Sequence, residues 1–131
     1  MIGIDTNVLL RLLLDDEPAQ SARIEAWLAS VPAAAGQIHI ADVVLAETAW
    51  TLASAYRQPK SELVKGLRAL LAEPVFSFED RAAVEAAVAA FTAAASGFPD
   101  CLIVAKNQSL GCAATVTFDK RTRRLPGVTL L

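Results

Sequence analysis

Four acids stand where carboxylates are seldom placed for solubility alone: Asp5, Glu47, Asp100 and Asp119. Asp5 ends the short apolar run Met1-Ile2-Gly3-Ile4 and is followed by Thr6-Asn7 and an apolar stretch, Val8 to Leu14. Asp119 ends a second apolar run, Ala113 to Phe118. Glu47 is the only charge between Val43 and Tyr56, and Asp100 follows Pro99 at the head of Cys101-Leu102-Ile103-Val104-Ala105. Clustered carboxylates repel one another and need a proton or a cation. With no His or thiolate at ligand spacing, an all-oxygen set suits a hard ion such as Mg²⁺ or Mn²⁺. Such ions polarise a phosphodiester, activate water and stabilise the leaving oxygen.

Each acid also has a plainer reading. Asp5, Asp42 and Asp100 are good helix caps, and Glu47 could snorkel beside a helix start. What points to chemistry is the set. Beside Asp119, Lys120, Arg121, Arg123 and Arg124 can hold a nucleic-acid backbone, or they can form a solvated charged turn. No nucleophilic Ser or Cys stands with a base, and there is neither a phosphate-cradling glycine loop nor a dinucleotide fingerprint. His39 alternates with Ile38 and Ile40, which reads as a strand-face residue rather than a ligand.

The elements that would position these residues alternate. Short apolar strands are expected at the start of the chain and at 37–40, 75–76, 113–118 and 128–131. Between them lie helical patterns: Val8 to Leu14, Pro18 to about Ser30, Val43 to Tyr56, a short one after Pro59, one opened by a capping-box signal at Ser77-Phe78-Glu79-Asp80, and one from Asp100 closed by Gly111. A helix apolar nearly all round is buried, so Glu47 is expected in the interior or a cleft. The alternation predicts one three-layer α/β/α domain over residues 1–131, with a mainly parallel central sheet. In such a sheet the strands' carboxyl ends share a rim, which would carry Asp5 and Asp119, with Glu47 and Asp100 in reach.

Composition narrows the class. The 131 residues are 54% hydrophobic with a net charge of −2, and mean hydropathy is +0.42. The surplus is largely Ala and Leu, as expected of packed helices with a partner surface. No apolar run approaches the roughly 20 residues of a membrane span, and no secretory signal opens the chain, so a cytoplasmic location is expected. Cys101 and Cys112 read as reduced core thiols. The net charge does not by itself announce a nucleic-acid binder; local clustering must carry that role.

Ile4-Asp5-Thr6-Asn7, the isolated Glu47, Phe98-Pro99-Asp100-Cys101-Leu102-Ile103-Val104-Ala105 and Thr117-Phe118-Asp119 resemble the PIN-domain ribonucleases, and among them the VapC toxins of bacterial toxin–antitoxin pairs. The resemblance covers essentially the whole chain. It implies a PIN-like fold, a Mg²⁺- or Mn²⁺-dependent endoribonuclease, and neutralisation by a cognate antitoxin. By the same resemblance Asp5, Glu47, Asp100 and Asp119 form the acidic metal site, with Asp5 and Asp100 as direct ligands. Asn7 and Thr117 would then orient carboxylates or waters. The chain departs from many relatives at Gly97, where they carry a further acid, which bears on a second metal ion. Two rivals are a catalytically silent PIN-like module that binds RNA or protein, and a receiver-like phosphoacceptor. The latter wants adjacent acids early, and here Asp5 stands alone.

Two further expectations follow. Four acids in one metal-free pocket should raise one another's pKa. The apolar helices around residues 8–14 and 43–71 should offer a groove to an amphipathic partner helix, and similar surface should support a homodimer.

Overall fold

The computed structural model describes residues 1–131. Asp5 follows strand β1 (Ile2–Gly3) and caps helix α1 (Thr6–Leu13). Pro18 then opens α2 (Pro18–Ser30), as its fixed φ and missing N–H allow. The chain continues through β2 (Ile38–Ile40), α3 (Asp42–Ser54), α4 (Lys60–Ala72), β3 (Phe76–Phe78), α5 (Arg81–Ala93), α6 (Phe98–Ser109), β4 (Thr115–Thr117) and β5 (Val128–Leu130). The architecture is the expected three-layer α/β/α arrangement, and every strand pairing is parallel.

The core is built on β2. Ile38 and Ile40 are fully buried and flank His39, whose Nδ1 lies 3.1 Å from Ser77 Oγ on the neighbouring strand. Leu9, Leu45, Val84 and Phe98 bring α1, α3, α5 and α6 onto the same cluster. Removing a side chain of this kind costs about 2–5 kcal/mol. Gly111, at φ +83°, closes α6: its N–H donates to Gln108 O at 3.0 Å and that of Cys112 to Asn107 O at 2.9 Å. That pair of bonds satisfies carbonyls the helix end would otherwise leave open.

Several expectations are corrected. The strands form two sheets, β1-β2-β3 and β4-β5, where one was expected. β4 and β5 are three residues each, and β4 is tied to α6 by Asn107 Nδ2 donating to Thr115 Oγ1 at 3.1 Å. Glu47 is exposed. Burying a lone carboxylate is costly, so α3 turns that face outward and carries Val43 and Trp50 with it, at 65% and 66% exposure. The capping box does not form: Ser77 belongs to β3, and Asp80 caps α5, its Oδ1 accepting from Ala83 N–H at 3.0 Å. Asp42 is the first residue of α3 and makes no cap; it pairs with Lys106 Nζ at 2.9 Å. Asp100 lies in the first turn of a helix that starts earlier, at Phe98. Cys101 is buried as expected, whereas Cys112, just past the Gly111 turn, is exposed.

Candidate functional site

Asp5 performs both of its expected duties at once. One carboxylate oxygen accepts from Val8 N–H at 3.0 Å, which caps α1, and the side chain stays exposed at the end of β1. Its neighbour Thr6 points across to α3 and donates to Glu47 Oε1 at 3.0 Å. Strand end and mid-helix acid, 42 positions apart in sequence, are thereby joined through one hydroxyl.

Asp119 is built differently. It lies two residues past β4, its backbone N–H donates to Thr117 Oγ1 at 3.0 Å, and its carbonyl accepts from Thr122 Oγ1 at 2.7 Å. The loop that presents the carboxylate is thus pinned by two hydroxyls. Arg121 then takes both carboxylate oxygens, Nε to Oδ1 at 3.1 Å and the terminal nitrogen to Oδ2 at 2.9 Å, while its backbone N–H also reaches Oδ1 at 2.9 Å. These bonds, the side-chain ones first, hold the Asp119 carboxyl below the ordinary carboxylate range. The expectation that repulsion raises it is therefore corrected: a guanidinium supplies the missing counter-charge. Asp100, half-buried where the helix dipole favours an anion, also acts on Arg121, whose pKa is raised chiefly by Asp119 and to a smaller degree by the Asp100 charge.

The four acids therefore fall into two pairs, Asp5 with Glu47 around Thr6, and Asp100 with Asp119 around Arg121. No three His, Cys, Asp or Glu side chains come together in a way that could hold a metal ion. The all-oxygen chemistry suits a hard cation, and Mg²⁺ needs only one or two carboxylates with waters completing its shell. Asn7 is exposed beside Asp5, and the Thr117 hydroxyl accepts from the Asp119 backbone N–H.

Lys120, Arg121, Arg123 and Arg124 line a cleft of about 850 Å³ whose opposite wall is the end of α5, including Ala90, Ala93 and Ala94. Small side chains leave the width and the cations supply the field, a combination that suits a polyanion. Two contributors, Thr6 and Lys106, escaped the sequence reading, and Arg121 was read only as a phosphate contact. Thr6 lay inside a noted motif but carried no role. Lys106 is tied to Asp42, and Arg121 serves Asp119 as well as the cleft. Only the Asp119–Arg121 spacing, i and i+2 across a turn, was visible beforehand.

Parallel strands, helices on both faces and acids at strand ends define a nuclease-type α/β fold. The chain belongs to the PIN-domain family, whose model matches residues 2–128. Domains of this family are typically metal-dependent nucleases and usually use divalent ions such as Mg²⁺. No curated protein and no solved structure matches the chain. No helix is long and apolar enough to cross a membrane.

Proposed function

We propose that this chain is a VapC-like endoribonuclease toxin that hydrolyses RNA phosphodiester bonds with Mg²⁺ or Mn²⁺ in the cytoplasm and is neutralised by a cognate antitoxin. The observation that carries this reading is the Thr6–Glu47 hydrogen bond, which joins the strand-end acid motif to the isolated helix acid in a PIN domain. Asp5, Glu47, Asp100 and Asp119 are the acidic site, Asp5 and Asp100 its direct metal ligands, and Asn7 and Thr117 its orienting groups. Lys120, Arg121, Arg123 and Arg124 hold RNA phosphates, a role supported by their shared cleft. The antitoxin is read as an amphipathic helix. Support comes from a hollow of about 360 Å³ among α1, α3 and α4, walled by leucines and holding the unpartnered hydroxyl of Thr48, which is only 3% exposed. The exposed Val43 and Trp50 support a homodimer.

The split of the acids into two pairs, one of them neutralised by Arg121, favours a second reading: a catalytically silent PIN-like module that binds RNA or protein. One experiment separates the two. The purified full-length protein is incubated with a mixed RNA pool with Mg²⁺, with Mn²⁺ and with chelator, beside Asp100→Asn. Metal-dependent cutting that is lost in Asp100→Asn supports the nuclease. Retention of the pool on the protein without cutting in either metal supports the silent binder.

A further inference from the structure

Strand β1 ends its sheet, and one of its edges is free. Ile2 N–H donates to Gln37 O at 2.7 Å and Ile4 N–H to His39 O at 3.2 Å. Alternation along a parallel strand then turns the N–H and C=O of Gly3 away from β2. Beyond that edge lies a cleft of about 550 Å³ closed on its far side by α2, with Arg23, Ile24 and Trp27 in its wall. Asp5, Val8, Arg23 and Ile24 also line an adjoining hollow of about 280 Å³, to which Gln20 contributes. Helix α2 has no fully buried residue: Trp27 packs in part against the core and stays half-buried, as does Ile24, and Arg23 is exposed. A Cβ on Gly3 would meet nothing within 4 Å, which leaves the strand edge open.

The cleft combines what an unstacked nucleobase needs: an indole and a guanidinium to lie against, an apolar side at Ile24, and a main-chain donor and acceptor on a strand edge. Proteins that read single-stranded RNA splay bases out, stack them on aromatic or Arg planes, and hydrogen-bond their edges. The basic cleft at 120–126 offers cations and aliphatic side chains but no aromatic residue. It can hold phosphates but has no plane on which to stack a base. Asp5 borders the β1–α2 cleft, which sets that cleft beside the strand-end acid of the candidate site.

We infer that the cleft between the free edge of β1 and α2 is a base-reading subsite. It takes one unpaired nucleobase of an RNA substrate next to the bond to be cut, with Trp27 and Arg23 against its faces and Gly3 at its edge. This rests on the ribonuclease reading of Asp5, so the test separates the two. Cut ends from a pool of RNAs with randomised single-stranded segments are sequenced for wild type, Arg23→Gln and Trp27→Ala. In parallel, labelled uncut RNA is titrated onto Asp100→Asn carrying Trp50→Phe, so that the remaining indole emission comes from Trp27.

The subsite predicts a base preference at one position flanking the cut. Both variants should lose that preference, with about tenfold slower cutting of the favoured sequence, and Trp27 emission should change as RNA saturates. Arg23 is exposed, so Arg23→Gln carries the test if Trp27→Ala does not fold. Wild type that cuts with no base preference, or variants that keep it at the wild-type rate, would overturn the subsite. Absence of cutting by wild type would overturn the ribonuclease reading alone. The subsite would then be decided by emission: a change on RNA saturation supports it, and unchanged emission overturns it.

Discussion

Arg121 grips Asp119 with both ends of its guanidinium, at 3.1 Å and 2.9 Å, and adds its own backbone N–H to the same carboxylate. A planar fork on a carboxylate is among the stronger arrangements a surface can offer. It also occupies the lone pairs that an ion at Asp119 would require. Arg121 is thus the internal counter-charge of the Asp100–Asp119 pair as well as a member of the basic cleft. On the proposed function, an RNA phosphate that took Arg121 would release Asp119.

The first prediction concerns acid pH. Arg121 depresses the Asp119 pKa, so the folded state binds fewer protons there than the unfolded chain. The stabilising contribution is fully present above the unfolded value of about 3.9 and is lost as pH falls through the lower folded value. Arg121→Gln should therefore lose less stability than wild type on acidification below about pH 4. Denaturant midpoints from pH 6 to pH 2 check it; parallel curves for the two proteins would refute it.

The opposite sign applies at Lys106. Its pKa is raised, first by the bond to Asp42 and further by the charges of Asp42, Asp80 and Glu79. That contribution is present below the unfolded value of about 10.4 and is lost as pH rises through the higher folded value. Lys106→Met should remove this alkaline step, so that midpoints of wild type and variant converge above about pH 11. If they stay equally far apart from pH 8 upward, the pair does not tie α6 to the start of α3.

Much of the molecule was legible from periodicity and punctuation. Alternating Ile38-His39-Ile40, the proline starts and Gly111 located strands and helices within a few residues, because those signals are local. The failures were tertiary. Val43, Glu47 and Trp50 share one face of α3, and the cost of burying a lone carboxylate outweighs the apolar pattern and turns that face outward. Asp42 and Ser77 were plausible caps until partners distant in sequence, Lys106 and His39, claimed them. The acids were found as a set, but their division into two pairs depends on Thr6 and Arg121, whose reach no spacing rule encodes.

Asp5 separates capping from chemistry. Asn caps a helix about as well as Asp, whereas Ala costs about 1 kcal/mol at such a position. Asp5→Asn should melt close to wild type and Asp5→Ala lower, while both lose about 10²-fold or more of RNA cleavage, as does Asp100→Asn. Thermal melts and cleavage rates on one RNA decide it. Near-wild-type cleavage by Asp5→Asn would assign Asp5 to the cap alone.

Thr6 offers a sharper probe, because its hydroxyl touches Glu47 and caps nothing. The bond is exposed, so losing it in Thr6→Val should cost no more than about 1 kcal/mol. Its effect on cleavage should be larger, since Glu47 would be freed to rotate away from Asp5. Thr6→Ser keeps the hydroxyl and should restore the rate. If valine and serine variants cleave equally well, the hydrogen bond does not position Glu47.

The last prediction joins the two pairs. If RNA cleavage requires a divalent ion at these acids, Arg121 competes with that ion for Asp119, and the competition can be read without any cleavage assay. Mg²⁺ that binds only the folded chain stabilises it by mass action, about 2.7 kcal/mol at 100 times the dissociation constant. Arg121→Gln removes the competitor, so at a fixed, subsaturating Mg²⁺ concentration its melting temperature should rise more than that of wild type. Asp119→Asn removes one carboxylate of the acidic set, so Mg²⁺ should stabilise it less than wild type. Calorimetric melts of the three proteins with and without Mg²⁺ provide the measurement. Equal shifts in all three would place the ion elsewhere and leave Arg121 and Asp119 as a surface ion pair.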